Sequence, residues 1–381
     1  MLTGQNGILN RVVEAKEKTG KSQEEENETL NDYEKTINKY VSNLPSTEYT
    51  QPYLLDAKKF EKVDGTNLNS GLVIREKETG SEYVWIEVPR KKEIYSKSGI
   101  NVVNFTDDEY KSIENDLKDY VVAYRSDNGF IDEFHEDDTK GWFFDANEYN
   151  NAKRKMLKSI YQNGGFWVGR YEAGSESNKL NTENDMEIPL SKESLYPYIY
   201  VTRTQAKILA EKVESGSYTS SLMFGIQWDL ILKYIETKNE DKENINYILK
   251  NDSTSIGNYL NSEIELNQGM FSRYNENNWY NFDNSEKIEL VKNKKKIAQE
   301  SYENGILLTT GASKMTCLQN MYDLAGNVWE WTLEYTTVPG VQCAHAGGGY
   351  TFSGKTTPVR GRSGSDSSYK SVLVGFRVSI Y

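Results

Sequence analysis

Asp323 and Glu330 flank a tight turn, Ala325-Gly326-Asn327, within the stretch 321–332. Their carboxylates converge if the chain reverses at Ala325-Gly326. Convergent carboxylates suit calcium, a hard cation that takes about 6–8 oxygen ligands. The same residues also suit a metal-free turn in which Glu330 accepts hydrogen bonds from backbone donors. Residues two apart in a strand share a face. Trp329 and Trp331 therefore point one way, and Val328 and Glu330 the other. Two large aromatics on one face anchor a core.

Other chemistries are poorly supplied. His135 and His345 are the only histidines and show no metal-ligand spacing. A facial iron site needs two converging imidazoles, and zinc motifs are absent. Neither a phosphate-binding loop nor a dinucleotide fingerprint is present. Ser363-Gly364-Ser365-Asp366 has no histidine nearby in sequence to activate a serine. Cys317 and Cys343 are too few for a disulfide scaffold; they form one bridge or stay free thiols. A formal net charge of -12 repels phosphate backbones and argues against nucleic acid as a partner. The sequence has 27 tyrosines, which fits either a recognition surface or a strand-rich fold.

The C-terminal part is punctuated by glycines, from Gly347 to Gly375, which permit tight turns and close backbone approach. Within it lie Tyr350, Phe352, Lys355, Thr357, Arg360, Arg362, Asp366 and Tyr369. Aromatic, hydroxyl and charged side chains on such loops suit adaptable recognition. For Arg360 and Arg362 a second reading stands: alternate strand arginines that pair with buried acids.

These loops need a scaffold. Residues 1–45 read as a polar helix, with apolar positions at Leu30, Tyr33, Ile37 and Tyr40, followed by a linker at Leu44–Gln51. Leu72–Arg75 and Tyr83–Val88 form a hairpin pattern through Glu78-Thr79-Gly80. Helical patterns cover Asp107–Tyr120, with Thr106 as N-cap, and Ala146–Gln162. Gly164–Gly174 alternates like a strand. Further helices are expected at Gln205–Ser215 and Gln227–Thr237. Segment 91–163 reads as an insertion or an elaborated edge of the domain, and 238–300 as an extended loop region or insertion. Val372–Tyr381 alternates and closes a sheet.

YDLAGNVWEWT at 322–332 resembles the signature of the formylglycine-generating-enzyme (sulfatase-modifying-factor) superfamily. SEYVWIEVP at 81–89, GGFWVGRYEAG at 164–174, VTRTQAKILAEKV at 201–213 and GIQWDLILKYIE at 225–236 agree in order. GGGY, VRGRSG and VGFRVSIY complete the set between 347 and 381. The resemblance implies an α+β, C-type-lectin-like domain over 51–381, low in strand and rich in long loops. It implies a structural calcium at Asp323, Gly326, Val328 and Glu330, the middle two through their carbonyls. Enzymes of that family use two cysteines downstream of a GGSY-like element. Alignment on Gly347–Tyr350 puts those positions on Phe352 and Thr357, and neither is a thiol. Soft Cu(I) wants sulfur ligands, so copper chemistry is not expected, nor is the iron chemistry of a related branch.

The opening 1–26 resembles the segment that follows the hydrophobic span of prepilin-like proteins. This implies a helix at 1–50 that links the domain to a bacterial envelope, with the membrane reached through a hydrophobic segment upstream. The expectation is a cell-surface or extracellular binding protein whose C-terminal loops meet a protein or glycan. Without such a segment the expected location is the cytoplasm. The alternatives are an active formylglycine-generating oxidoreductase and a structural pilin-like subunit.

Overall fold

The computed structural model describes residues 52–53, 55–125, 129–136, 140–178, 186–274, 276–282 and 305–381. The expected N-terminal helix and its linker fall outside them. The architecture is α+β, built on two main sheets.

The first sheet has six strands: Phe60–Lys62, Val73–Glu76, Glu82–Glu87, Gly165–Gly169, Val378–Ile380 and Ser220–Leu222, in that spatial order. All its pairings are antiparallel. Every residue of Glu82–Glu87 and of Gly165–Gly169 is buried, as expected of central strands covered on both faces. Trp85 and Trp167 pair across them, with ring centroids 5.2 Å apart. A fully buried aromatic of this size removes about 150–250 Å² from water. At ~25 cal/mol per Å² that is roughly 4–6 kcal/mol each, an upper value because the unfolded chain is itself compact.

The second sheet runs Arg362–Ser365, Cys343–Ala346, Trp329–Thr336 and Val374–Gly375, the last pair parallel. Trp331 lies opposite His345 and Glu330 opposite Ala346. His345 lies opposite Ser363.

Five helices complete the described fold: α1 (Asp107–Tyr120), α2 (Ala146–Asn163), α3 (Arg203–Ala210), α4 (Gly225–Lys238) and α5 (Lys242–Asn251). Thr106 caps α1 through a capping box with Glu109. The same device at Thr202 and Gln205 starts α3 two residues earlier than the periodicity suggests, and α3 ends at Ala210, short of the expected Ser215. α4 touches both the Glu82–Glu87 and the Trp329–Thr336 strands. Its first turn is fastened from outside: the Asp132 carboxylate accepts from Gly225 N at 2.7 Å and Ile226 N at 2.9 Å. A Cβ on Gly225 would collide with the Glu334 carboxyl, so a side chain there would push that carboxyl off Arg362.

One expectation is corrected. Segment 238–300 is not simply a loop: it holds α5, capped by Asp241 and buried at Ile245 and Leu249, and the strand Met270–Arg273. A helix of fewer than three turns offers too few apolar positions to stand out as a period. Segment 91–163 contributes Tyr95, Leu117, Ile160 and Tyr161 to the main core.

Candidate functional site

Trp329 and Trp331 share a face, as their spacing requires, and His345 sits between them. The ring centroids lie 4.8 Å and 5.3 Å from the imidazole, both edge-on. The row continues at each end. Phe352 meets Trp329 at 5.9 Å and Tyr369 meets Trp331 at 6.3 Å. The inner rings are buried, Trp331 donating its indole N–H to the Val201 carbonyl. Phe352 and Tyr369 are half-buried. The row thus surfaces at the two C-terminal loops.

His345 is 5 % exposed. Its Nε2 lies 3.2 Å from Ser365 Oγ, while Nδ1 has no partner. Burial pushes its pKa down to about 3, so the ring is neutral. Such an imidazole is a poor base, and no carboxylate orients it. The Ser365–His345 pair therefore lacks the parts of a working nucleophile.

The remaining residues of this region divide by what they touch. Lys355 and Asp366 are exposed, Asp366 accepting from the Ser368 backbone N–H. Thr357 is half-buried, its hydroxyl on the Ser353 carbonyl at 3.2 Å. Tyr350 is buried, 6.4 Å from the Tyr274 ring. Arg360 Nε donates to the Lys250 carbonyl at 3.0 Å. Arg362 points inward, its side chain fully buried between Glu334 at 2.7 Å and Asp229 at 2.8 Å. It follows the second of the two readings, an arginine paired with buried acids.

On the opposite face of the Trp329–Thr336 strand, Glu330 is fully buried. Arg377 grips it with Nε at 3.1 Å from each oxygen and Nη2 at 2.7 Å from Oε1. Asp323, held at φ 56°, accepts from Gly311 N at 2.6 Å and Thr316 Oγ at 2.7 Å. Calcium at Asp323, Gly326, Val328 and Glu330, which the resemblance implies, would compete with these partners for the two carboxylates. Among the described residues no three His, Cys, Asp or Glu side chains come together to hold a metal. An ion there would have to draw Glu330 off Arg377 and Asp323 off its two donors. Melting curves with and without millimolar calcium decide the point. With the carboxylates held as they are, the transition is expected to stay put. A rise that Glu330→Gln abolishes would mean that the turn re-forms around the ion.

Glu172 is a third buried acid beside these two. It accepts from Asn327 Nδ2 at 2.7 Å and Val328 N at 3.2 Å. Burial, and then the charges of Asp323 and Glu330, push its pKa well above the usual carboxylate range. A carboxyl raised in the fold stabilises fully below its unfolded value and loses that contribution as pH rises. The stability of Glu172→Gln relative to the parent is therefore expected to improve steadily from pH 5 to pH 8. A pH-independent difference would show that Glu172 carries its charge.

Among the described residues Cys317 and Cys343 form no disulfide, and Cys343 is buried in the second sheet. His135 stacks on Tyr335 at 4.4 Å. Glu172 and Arg377 are not among the residues the sequence singles out; His345 and Ser365 are, as a metal-ligand and a nucleophile candidate without partners. A signal existed for Arg377: it stands alone among the alternating apolar positions of VGFRVSIY, and a buried strand charge calls for a buried partner.

No protein-family model matches the chain, and no curated protein matches it. Among solved structures, the chain is similar to the crystal structure of CarF at 11% identity and TM-score 0.32, over 56% of this chain and 85% of that one. It is similar to Treponema denticola variable protein 1 at 12% identity and TM-score 0.31, over 57% and 84%. Likenesses this weak assign neither fold nor function. Among the described residues no helix is long and apolar enough to cross a membrane.

Proposed function

We propose that this chain is a binding protein with a C-type-lectin-like domain of the formylglycine-generating-enzyme type, whose ligand face is formed by the C-terminal loops. One observation carries the reading: the unbroken row Phe352, Trp329, His345, Trp331, Tyr369, buried at its centre and surfacing at its ends. Buried rings hold the outer two in place, and preorganised aromatics lose little entropy on binding. The motif set at 81–89, 164–174, 322–332 and 347–381 supports the fold type. Phe352 and Thr357, at the positions where the resembled enzymes carry thiols, support binding over oxidation. The polar segment 1–50 supports display from a bacterial envelope.

The test uses the full chain on arrays of glycans and of extracellular-protein fragments. Binding is expected, with a tenfold or greater loss in Phe352→Ala and in Tyr369→Ala and little change in melting. Equal retention by both variants would overturn the reading and favour a structural subunit. Copper-dependent oxidation of a cysteine-containing sulfatase-type peptide would favour the oxidoreductase.

A further inference from the structure

We propose that a second binding site, separate from the C-terminal loops, lies in a cleft beside the first sheet and takes a small zwitterion with an apolar side chain, a free amino acid or a dipeptide. The cleft has a volume of about 460 Å³, within the ~300–1,000 Å³ usual for small-molecule sites. It lies among the turn of the hairpin that joins Val73–Glu76 to Glu82–Glu87, the segment 188–190, and the segment 212–216 that follows α3. No ring of the aromatic row lines it.

Its inner surface is fixed by the fold. Tyr83, Ser81 and Glu76 line it and are buried. The Glu76 carboxylate accepts from Glu78 N at 3.1 Å and Thr79 N at 2.6 Å. That holds the hairpin turn in place and spends the Glu76 charge on backbone donors. Leu190 is pinned by two backbone hydrogen bonds with Gly174, at 2.8 Å and 2.9 Å. Val213 is buried and Leu190 half-buried, so one wall of the cleft is apolar, and the exposed Ile188 extends it outward. An apolar side chain laid on that wall leaves water.

The rim carries charge of both signs. Lys59 Nζ and Glu214 Oε2 are paired at 2.7 Å, and Glu214 also accepts from Gly216 N at 2.8 Å. Lys212 and Glu78 line the same cleft and are exposed. Neither the Lys212 ammonium nor the Glu78 carboxylate has a partner among the described residues. The cleft therefore offers one unspent cation and one unspent anion. A ligand of a single sign is attracted by one and repelled by the other, and a neutral ligand uses neither. An ammonium and a carboxylate on one small molecule answer both, the carboxylate on Lys212 and the ammonium on Glu78. Beside an apolar wall the local dielectric falls, and such contacts count for more than in open water.

The experiment titrates the full chain calorimetrically with leucine, phenylalanine and leucyl-leucine, each free, N-acetylated and C-amidated. The free forms are expected to bind, and either block should weaken binding about tenfold or more, as the loss of a hydrogen bond to a charged group does. Lys212→Met should weaken the free form similarly and make the amide block harmless. Glu78→Gln should do the same for the acetyl block. Both side chains are exposed and unpaired, so unliganded melting of the two variants should match the parent. The amino acids against leucyl-leucine separate the two sizes of ligand. Equal binding of free and blocked forms would overturn the proposal, as would unweakened binding of the free forms by both variants. No heat from any compound at millimolar concentration would also overturn it.

Discussion

Arg377→Met is expected to cost about 3–5 kcal/mol, the usual loss when one partner of a buried ion pair is removed. Domains of this kind are stable by ~5–15 kcal/mol, so the variant should sit near the edge of folding. The guanidinium does more than neutralise Glu330. Nη1 donates to the Gly169 carbonyl at 2.9 Å and Nη2 to the Tyr322 carbonyl at 2.8 Å. It therefore ties the first sheet to the turn that precedes the Trp329–Thr336 strand. Lysine cannot reproduce that fork, so Arg377→Lys should recover only part of the loss. In Arg377→Met, Glu330 is left buried without a cation, and protonation relieves it. Urea midpoints should therefore show the deficit narrowing as pH falls from neutral towards about 5, where the unfolded chain is protonated as well. A loss under 1 kcal/mol, or a deficit independent of pH, would mean that Glu330 has another cation.

Arg362→Met should cost a similar ~3–5 kcal/mol, because it strands two acids. Asp229 would keep only Arg125, 3.5 Å away, and Glu334 would lose its arginine. Burial already pushes the Asp229 carboxyl upward against the pull of Arg362. The pair of outcomes matters for function. A ligand-contacting arginine would lose binding with its melting intact. Arg362→Met should lose melting first, whereas Phe352→Ala and Tyr369→Ala should do the reverse. Unchanged urea unfolding of Arg362→Met together with lost binding would return Arg362 to the ligand face.

Much of the scaffold was legible because local rules agreed with one another. Thr106 announced α1, and the alternation of Trp329 and Trp331 placed both on one face with Glu330 behind them. What was hidden depends on pairing across distance. Glu330 could be read as a metal ligand because its cation lies 47 residues on, just before a strand of the other sheet. Two readings of Arg362 stood open because Glu334 and Asp229 reach it from another strand and from α4. Ser365 seemed to lack a histidine because His345 joins it through hairpin register. Helix α5 was too short for its period to register. Sequence spacing reports which face a residue takes, but not what waits on that face.

The placement of Val378–Ile380 between Gly165–Gly169 and Ser220–Leu222 has a consequence for biogenesis. The first sheet remains in two halves until these residues arrive. Chains that terminate before Arg377 would emerge with Glu330 uncompensated and two unpaired strand edges, features that mark a chain for aggregation or proteolysis. Prematurely terminated copies should therefore be cleared rather than accumulate as partly working binders. Joining Ser379 to Ser221, 158 residues upstream, should be a late, slow step in assembly, since non-local pairing must pay loop-closure entropy before it is rewarded.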